Sequence, residues 1–199
     1  MFSKLTHTNF EQTKKEKPMK NKFIALIALL IMGSLITGFG CYQSSKTVWA
    51  QSTSIFSVPY GAELAKTDTE LTLTDMLTYA IEDEYLARAR YLLVLEKFGQ
   101  IRPFVNIINA EETHINQLIP LFNRRNIAVP TDNSKDYVIV PANIRESLEI
   151  AIQGEIDNIA MYNRFLQQNL PSDVRIVFTR LRNASQNHLR AFNTALQFV

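Results

Sequence analysis

The chain has 199 residues, 46% of them hydrophobic, with a formal net charge of +2; that accommodates one ordinary globular domain plus a processed segment. The charge is split, with seven lysines against Glu11 and Glu16 in residues 1–50, and 14 Lys and Arg against 17 Asp and Glu in residues 51–199. A mildly acidic domain argues against nucleic acid as its partner.

In chain order, the first element is KNKFIALIALLIMGSLITGFGCYQ, residues 20–43. Lys20 and Lys22 flank an uncharged, largely apolar run of 18 residues, Phe23 to Gly40. Val48-Trp49-Ala50 before Gln51 resembles a signal-peptidase site, with small residues at the cleavage positions. A run of this length is also near the minimum that spans a bilayer. Residues 1–50 are therefore expected to be an N-terminal extension carrying a signal peptide or an anchor. The remainder would be exported (periplasmic or extracellular) or tethered to a membrane through residues 23–40. Met19 is an alternative start, and Gly38 breaks the lipoprotein pattern at Gly40-Cys41. Cys41 is the lone cysteine, so the domain beyond it has no disulfide framework and no thiolate zinc site or thiol catalyst.

Residues 51–70, rich in Ser and Thr with Pro59 and Gly61, read as a linker or mobile lead-in. Residues 71–199 then read as all-α, with four helical segments and almost no strand signal. The first runs about 73–98, opened by a capping box at Thr72 and Asp75 and ended by Gly99. The second runs about 103–124, with Pro103 in its first turn and Pro120 expected to kink it or end it early. The third runs about 143–168, and the fourth about 172–197 with Ser172 as N-cap. Short turns make each consecutive pair an antiparallel hairpin. The polar connection 125–142 is long enough to cross the length of a bundle, with Val138, Ile139 and Val140 along its surface. Two hairpins and one long crossover is a connectivity of ferritin-like four-helix bundles.

On a seven-residue grid the inward seams read Leu77, Ile81, Glu84, Arg88, Tyr91, Leu95, Phe98; then Phe104, Ile107, Glu111, His114, Leu118, Leu121. The third and fourth read Leu148, Ile152, Glu155, Ile159, Tyr162, Leu166 and Val174, Phe178, Leu181, Ser185, His188, Phe192, Ala195. Each is apolar except near its middle. Burying an ionised carboxylate without a partner costs several kcal/mol, and a shared cation is one way to compensate three of them at once. Taken singly, the residues have plainer readings: Glu84 as an exposed i,i+4 partner of Arg88, His188 as a hydrogen-bonded core histidine. Glu82, Asp83 and Glu112 fall off the seams and read as solvated. Arg88, if it faces inward, would hold Glu84 or close one end of the site. Tyr91 and Tyr162, one heptad beyond Glu84 and Glu155, read as core packing.

Jointly, the pattern is Glu, Glu-x-x-His, Glu, x-x-x-His on successive helices, close to the di-metal carboxylate layout. Residues i and i+3 share a side of a helix, so Glu111 and His114 can offer oxygen and nitrogen to one ion. The stretches AIEDEYLAR (80–88), NAEETHINQL (109–118), QGEIDNI (153–159) and ASQNHLRAF (184–192) resemble the ferritin-like superfamily, close to a prokaryotic ferritin-like domain family of unknown function. The resemblance covers about 71–197. It implies a four-helix bundle with Glu84, Glu111, His114, Glu155 and His188 as metal ligands. One position departs: Ser185 stands where the superfamily has the metal-bridging Glu of its second Glu-x-x-His.

With that Glu missing, the remaining ligands suit two ions with water or hydroxide filling the gap. They equally suit one ion on Glu111, His114 and His188, a two-His-one-carboxylate set. The donor chemistry favours Fe, with Mn or Zn as alternatives. The expected function is a metal-binding domain reactive toward O2, peroxide or Fe(II), which would make any enzyme a non-haem metal oxidoreductase. Expected partners are metal ions and O2 or peroxide, with a dimer allowed. The alternative is a non-enzymatic exported bundle with a vestigial centre that binds a partner, its glutamates paired with Arg88 or other cations.

Overall fold

The computed structural model describes residues 59–199. The expected targeting segment, cleavage site and Cys41 lie outside these residues. Among them no helix is long and apolar enough to cross a membrane.

The described residues form five α-helices and no strand: α1 (Ala62–Thr67), α2 (Leu73–Phe98), α3 (Phe104–Asn123), α4 (Ile144–Phe165) and α5 (Ser172–Leu196). Local chemistry sets most ends. Thr72 and Asp75 form the expected capping box on α2. At the other end of α2, Gly99 takes φ 86°, where only glycine is unstrained, and returns its N–H to the Leu95 carbonyl. Asn143 caps α4 by accepting from the Glu146 N–H at 2.9 Å. Two expectations need correction. Ser172 is the first helical residue of α5 rather than its cap, and the preceding Pro171 makes no side-chain cap. Helix α3 does not stop at Pro120 but runs one more turn to Asn123. Asn116 and Pro120 are both exposed, so the carbonyl that loses its N–H partner there faces water.

The four long helices form a bundle-like arrangement. α2 pairs with α3 and α4 with α5, while α2 also lies against α4 and α3 against α5. Helices α2 and α4 run antiparallel, because Glu84 meets Tyr162 while Tyr91 meets Glu155. The connection between α3 and α4 carries a 3-10 turn, Ser134–Tyr137, that packs on α2. Ile139 and Val140 are exposed on it, as expected.

Two apolar clusters fill the interior. One includes Leu77, Ile81, Leu118, Phe122, Tyr162, Phe165 and Phe178; the other includes Tyr91, Phe104, Ile107, Leu148 and Phe192. Interlocked aromatic rings stiffen both, with centroids of Phe104 and Phe192 5.0 Å apart and of Tyr162 and Phe178 5.3 Å apart. The polar seam residues lie between these clusters.

Helix α1 lies within the stretch expected to be a linker. It packs on α2 and α4, held by the Arg164 guanidinium on the carbonyls of Ala65 and Asp68 and by Tyr79 on Asp68 at 2.8 Å. Gly61 enters it at φ 59°, and a Cβ there would stand 2.8 Å from the Asp83 backbone. Glycine is needed on both counts. This contact also corrects the reading of Asp83 as solvated. It is only 8% exposed, because α1 seats on that flank and the Ala62 N–H donates to its Oδ1 at 3.0 Å.

Candidate metal centre

Between the apolar clusters, α2 contributes Glu84, α3 Glu111 and His114, α4 Glu155 and α5 His188. All five are buried, and His188 is the most exposed at 8%. His114 Nδ1 stands 3.0 Å from Glu84 Oε2 and 3.0 Å from Glu111 Oε2. His188 Nδ1 stands 3.1 Å from Glu111 Oε1 and 3.3 Å from Glu155 Oε1. Glu111 therefore belongs to two groups at once. In each trio, Glu84–Glu111–His114 and Glu111–Glu155–His188, the candidate donor atoms all lie within 4.8 Å of one another. The two imidazoles stack at 5.6 Å between centroids.

Further side chains aim the carboxylates. Tyr162 donates to Glu84 Oε1 at 2.8 Å, and Asn158 Nδ2 stands 3.4 Å from the same oxygen. Asn158 also donates to Asp83 Oδ2 at 2.8 Å, and it accepts at its own Oδ1 from the Ser185 hydroxyl at 2.7 Å. Tyr91 donates to Glu155 Oε1 at 2.8 Å. Tyr91 and Tyr162 are fully packed, as expected, but each also spends its hydroxyl on a seam glutamate.

The charges explain the proton affinities. Burial opposes a charged imidazole, but the facing carboxylates outweigh it, pushing His114 up to about 10 and His188 up to about 9. Burial raises Glu84 above the usual carboxylate range, against the pull of His114. Glu111 is buried too, yet its two histidines hold it below that range. Burial lifts Asp83 to about 7 despite its hydrogen bonds to Ala62 and Asn158. Burial, followed by the adjoining glutamate, holds both tyrosine hydroxyls protonated.

Among the described residues four side-chain atoms break the rule that buried polar groups are paired, Tyr60 Oη and Glu82 Oε2 away from the centre and two within it. Glu111 Oε1 and His188 Nδ1 face each other at 3.1 Å, but at an angle that makes no hydrogen bond, and neither has another hydrogen-bond partner among the described residues. A carboxylate oxygen and an imidazole nitrogen buried together and unbonded fit a cation between them.

Arg88 corrects a different expectation. It neither holds Glu84 nor closes the site. Its guanidinium faces outward and pairs with Glu112 and with Asp132 at 2.7 Å. The pairing of centre glutamates with Arg88 that a vestigial core would use is therefore not made. Glu112 is exposed, as read from the sequence, and Glu82 is half-buried.

A family model described as "Uncharacterized protein domain (DUF2202)" matches residues 73–198. The chain belongs to the DUF2202 family. Its DUF2202 domain spans α2 through α5 and so contains every residue of the centre. "Uncharacterized protein MJ0754" of Methanocaldococcus jannaschii is 27% identical, over 56% of this chain and 68% of that protein. The crystal structure of the hypothetical protein MJ0754 from Methanococcus jannaschii superposes with a TM-score of 0.56 at 23% identity. The superposition covers 65% of this chain and 83% of that one, a likeness of fold.

Sequence reasoning did not single out Asn158, which joins Glu84, Asp83 and Ser185 in one network. Its position three residues after Glu155, on the same side of α4, was the available signal. Nothing in the local sequence marks Asp83, because its burial depends on α1.

Proposed function

We propose that this domain is a ferritin-like four-helix bundle that holds iron at two adjoining positions and reacts with O2 or peroxide. The single observation that carries the reading is the pair of buried trios sharing Glu111, with its Oε1 and His188 Nδ1 left unbonded. In this reading Glu84 and His114 hold one ion, Glu155 and His188 hold the other, and Glu111 serves both. Three carboxylates and two imidazoles with no thiolate are hard-to-intermediate donors that suit Fe, with Mn and Zn as competitors. Bound iron would supply the electrons for reducing O2 or peroxide. The chain's own part is positioning: Tyr162 and Asn158 orient Glu84, Tyr91 orients Glu155, and Ser185 fixes Asn158. The basic flank and apolar run of residues 20–40 support, as part of this proposal, an exported or membrane-anchored setting.

Anomalous diffraction from crystals of the protein at the Fe, Mn and Zn edges tests this reading, with Glu111→Ala and His188→Ala as controls. Two adjoining peaks at the iron edge are expected. One peak between Glu111, His114 and His188 would replace the two-ion reading with a single-ion site. No bound metal, with unchanged stability in both variants, would sink the proposal.

A further inference from the structure

Two cavities at the α2–α4 contact share three residues. The outer is a surface cleft of about 190 Å3 whose walls include Tyr60, Ala62 and Tyr137. The inner is a void of about 10 Å3 bordered on its deep side by Glu111, Glu155, Asn158 and Ser185. Asp83, Arg90 and Gly154 line both, so one shared wall, the neck, separates the two spaces. The inner volume is that of about one water molecule.

The walls of the neck differ in stiffness. Asp83 is fixed by the Ala62 N–H and by Asn158. Gly154 presents no side chain, and a Cβ built on it would lie 3.3 Å from Arg90 Nη1. Arg90 is half-buried, and among the described residues no carboxylate lies within ion-pair distance of it. Its side chain is therefore the movable wall, and its charge is offset by the carboxylates of Glu63, Asp83 and Asp157 along the outer cleft, so the approach carries no excess of positive charge. On the opposite side the Glu84 half is closed, because Tyr162 packs against Phe165 and Phe178 there.

We propose that this neck is the path by which small exogenous ligands of the size of O2 or peroxide reach the Glu111–Glu155–His188 half of the centre. Gly154 keeps the path open and Arg90 acts as its gate. The inference rests on the metal-binding reading above. It adds a size filter: molecules much larger than a diatomic are excluded by the inner void. The small part of His188 that remains exposed, 8%, is the competing route.

The test uses the full chain loaded with Co(II), whose visible spectrum reports its ligands, and azide as a small anionic probe in stopped flow. Gly154→Ala places a methyl group in the neck, in a helix that favours alanine, and Gly154→Val narrows it further. A blocked path raises one barrier for entry and exit alike. Azide association and dissociation are therefore expected to slow together, by about tenfold in Gly154→Val and less in Gly154→Ala, with Co(II) content and azide affinity unchanged. Adding Arg90→Ala to Gly154→Val is expected to restore the rate. Unchanged rates in both Gly154 variants, or a slowing that Arg90→Ala does not relieve, would overturn the path and leave the metal centre standing. Azide that leaves the Co(II) spectrum of the unaltered protein unmoved would do the same. A chain that takes up no Co(II) would overturn the metal-binding reading and this inference together.

Discussion

Glu111 Oε1 and His188 Nδ1 face each other across the α3–α5 contact at 3.1 Å, both buried and without a hydrogen bond between them. Without metal, such a centre keeps its balance with protons. His114 at about 10 and His188 at about 9 are both imidazolium at neutral pH. Because these values lie above the ordinary histidine value of 6.5, their contribution to stability is fully present below pH 6.5. It is lost as pH rises through 9 and 10. The metal-free protein should therefore lose thermal stability over that window. Metal requires the neutral imidazoles, so affinity should rise with pH and binding should release protons. Calorimetric titration with Fe(II) in anaerobic buffers of different ionisation enthalpy measures that release. Proton-neutral binding at pH 7 would contradict the proton-balanced centre.

The sharing of Glu111 makes the glutamates unequal. Glu84 is in one trio and Glu111 in both. Glu84→Gln keeps the shape of the side chain while removing one ligand charge, and it should leave one ion per chain. Glu111→Gln should leave none, because both positions lose their common carboxylate. Elemental analysis of the purified variants against protein concentration gives the ratio directly. Equal losses in the two variants would argue for a single ion held by all the ligands together.

Much of this was legible in sequence because helical periodicity reports which side of a helix is covered. The seam of α3, from Phe104 through Glu111 and His114 to Leu121, is buried at every position read from the grid. What stayed illegible came from contacts outside that grid. Asp83 is adjacent to Glu84 and points off the seam, so nothing local marks it as buried. Its cover is α1, a helix of six residues too short to declare itself by period. Arg88 shows the converse error. It occupies a seam position, but a long side chain can leave the core, and its partners Glu112 and Asp132 are 24 and 44 residues away. Tyr91 and Tyr162 were legible as core but not as donors, since the partner of a hydroxyl is fixed by packing and not by spacing.

Tyr162→Phe separates packing from aim. The ring contacts with Phe165 and Phe178 are kept, while the hydroxyl bond to Glu84 Oε1 at 2.8 Å is lost. Hydrogen bonds to charged groups contribute about 1.5–3 kcal/mol. Asn158, at 3.4 Å from the same oxygen, can replace part of that. A loss near the lower end of this range is expected in denaturant unfolding of the metal-free protein. Affinity should fall by about 10–100-fold for the ion held by Glu84 and His114 only, as expected when the group orienting a ligand is removed. An equal loss at both positions would mean that Tyr162 shapes the whole core and does not aim Glu84.

Ser185→Glu tests what the departure at this position has done. Ser185 is 2% exposed, donates to Asn158, and borders a void of about 10 Å3. A glutamate there carries more atoms than the void holds, deprives Asn158 of its donor, and sets a fourth carboxylate beside Glu111 and Glu155. An uncompensated buried charge typically costs about 3–5 kcal/mol. The metal-free variant should therefore be destabilised by about that amount. With Fe(II) or Co(II) bound, the new carboxylate has a cation to face, and most of the loss should be recovered. Unfolding in denaturant with and without metal, for both variant and unaltered chain, gives the comparison as a double difference. If the penalty is the same in both conditions, the introduced carboxylate does not reach the ions, and Ser185 lies outside the coordination space that the seam pattern assigns to it.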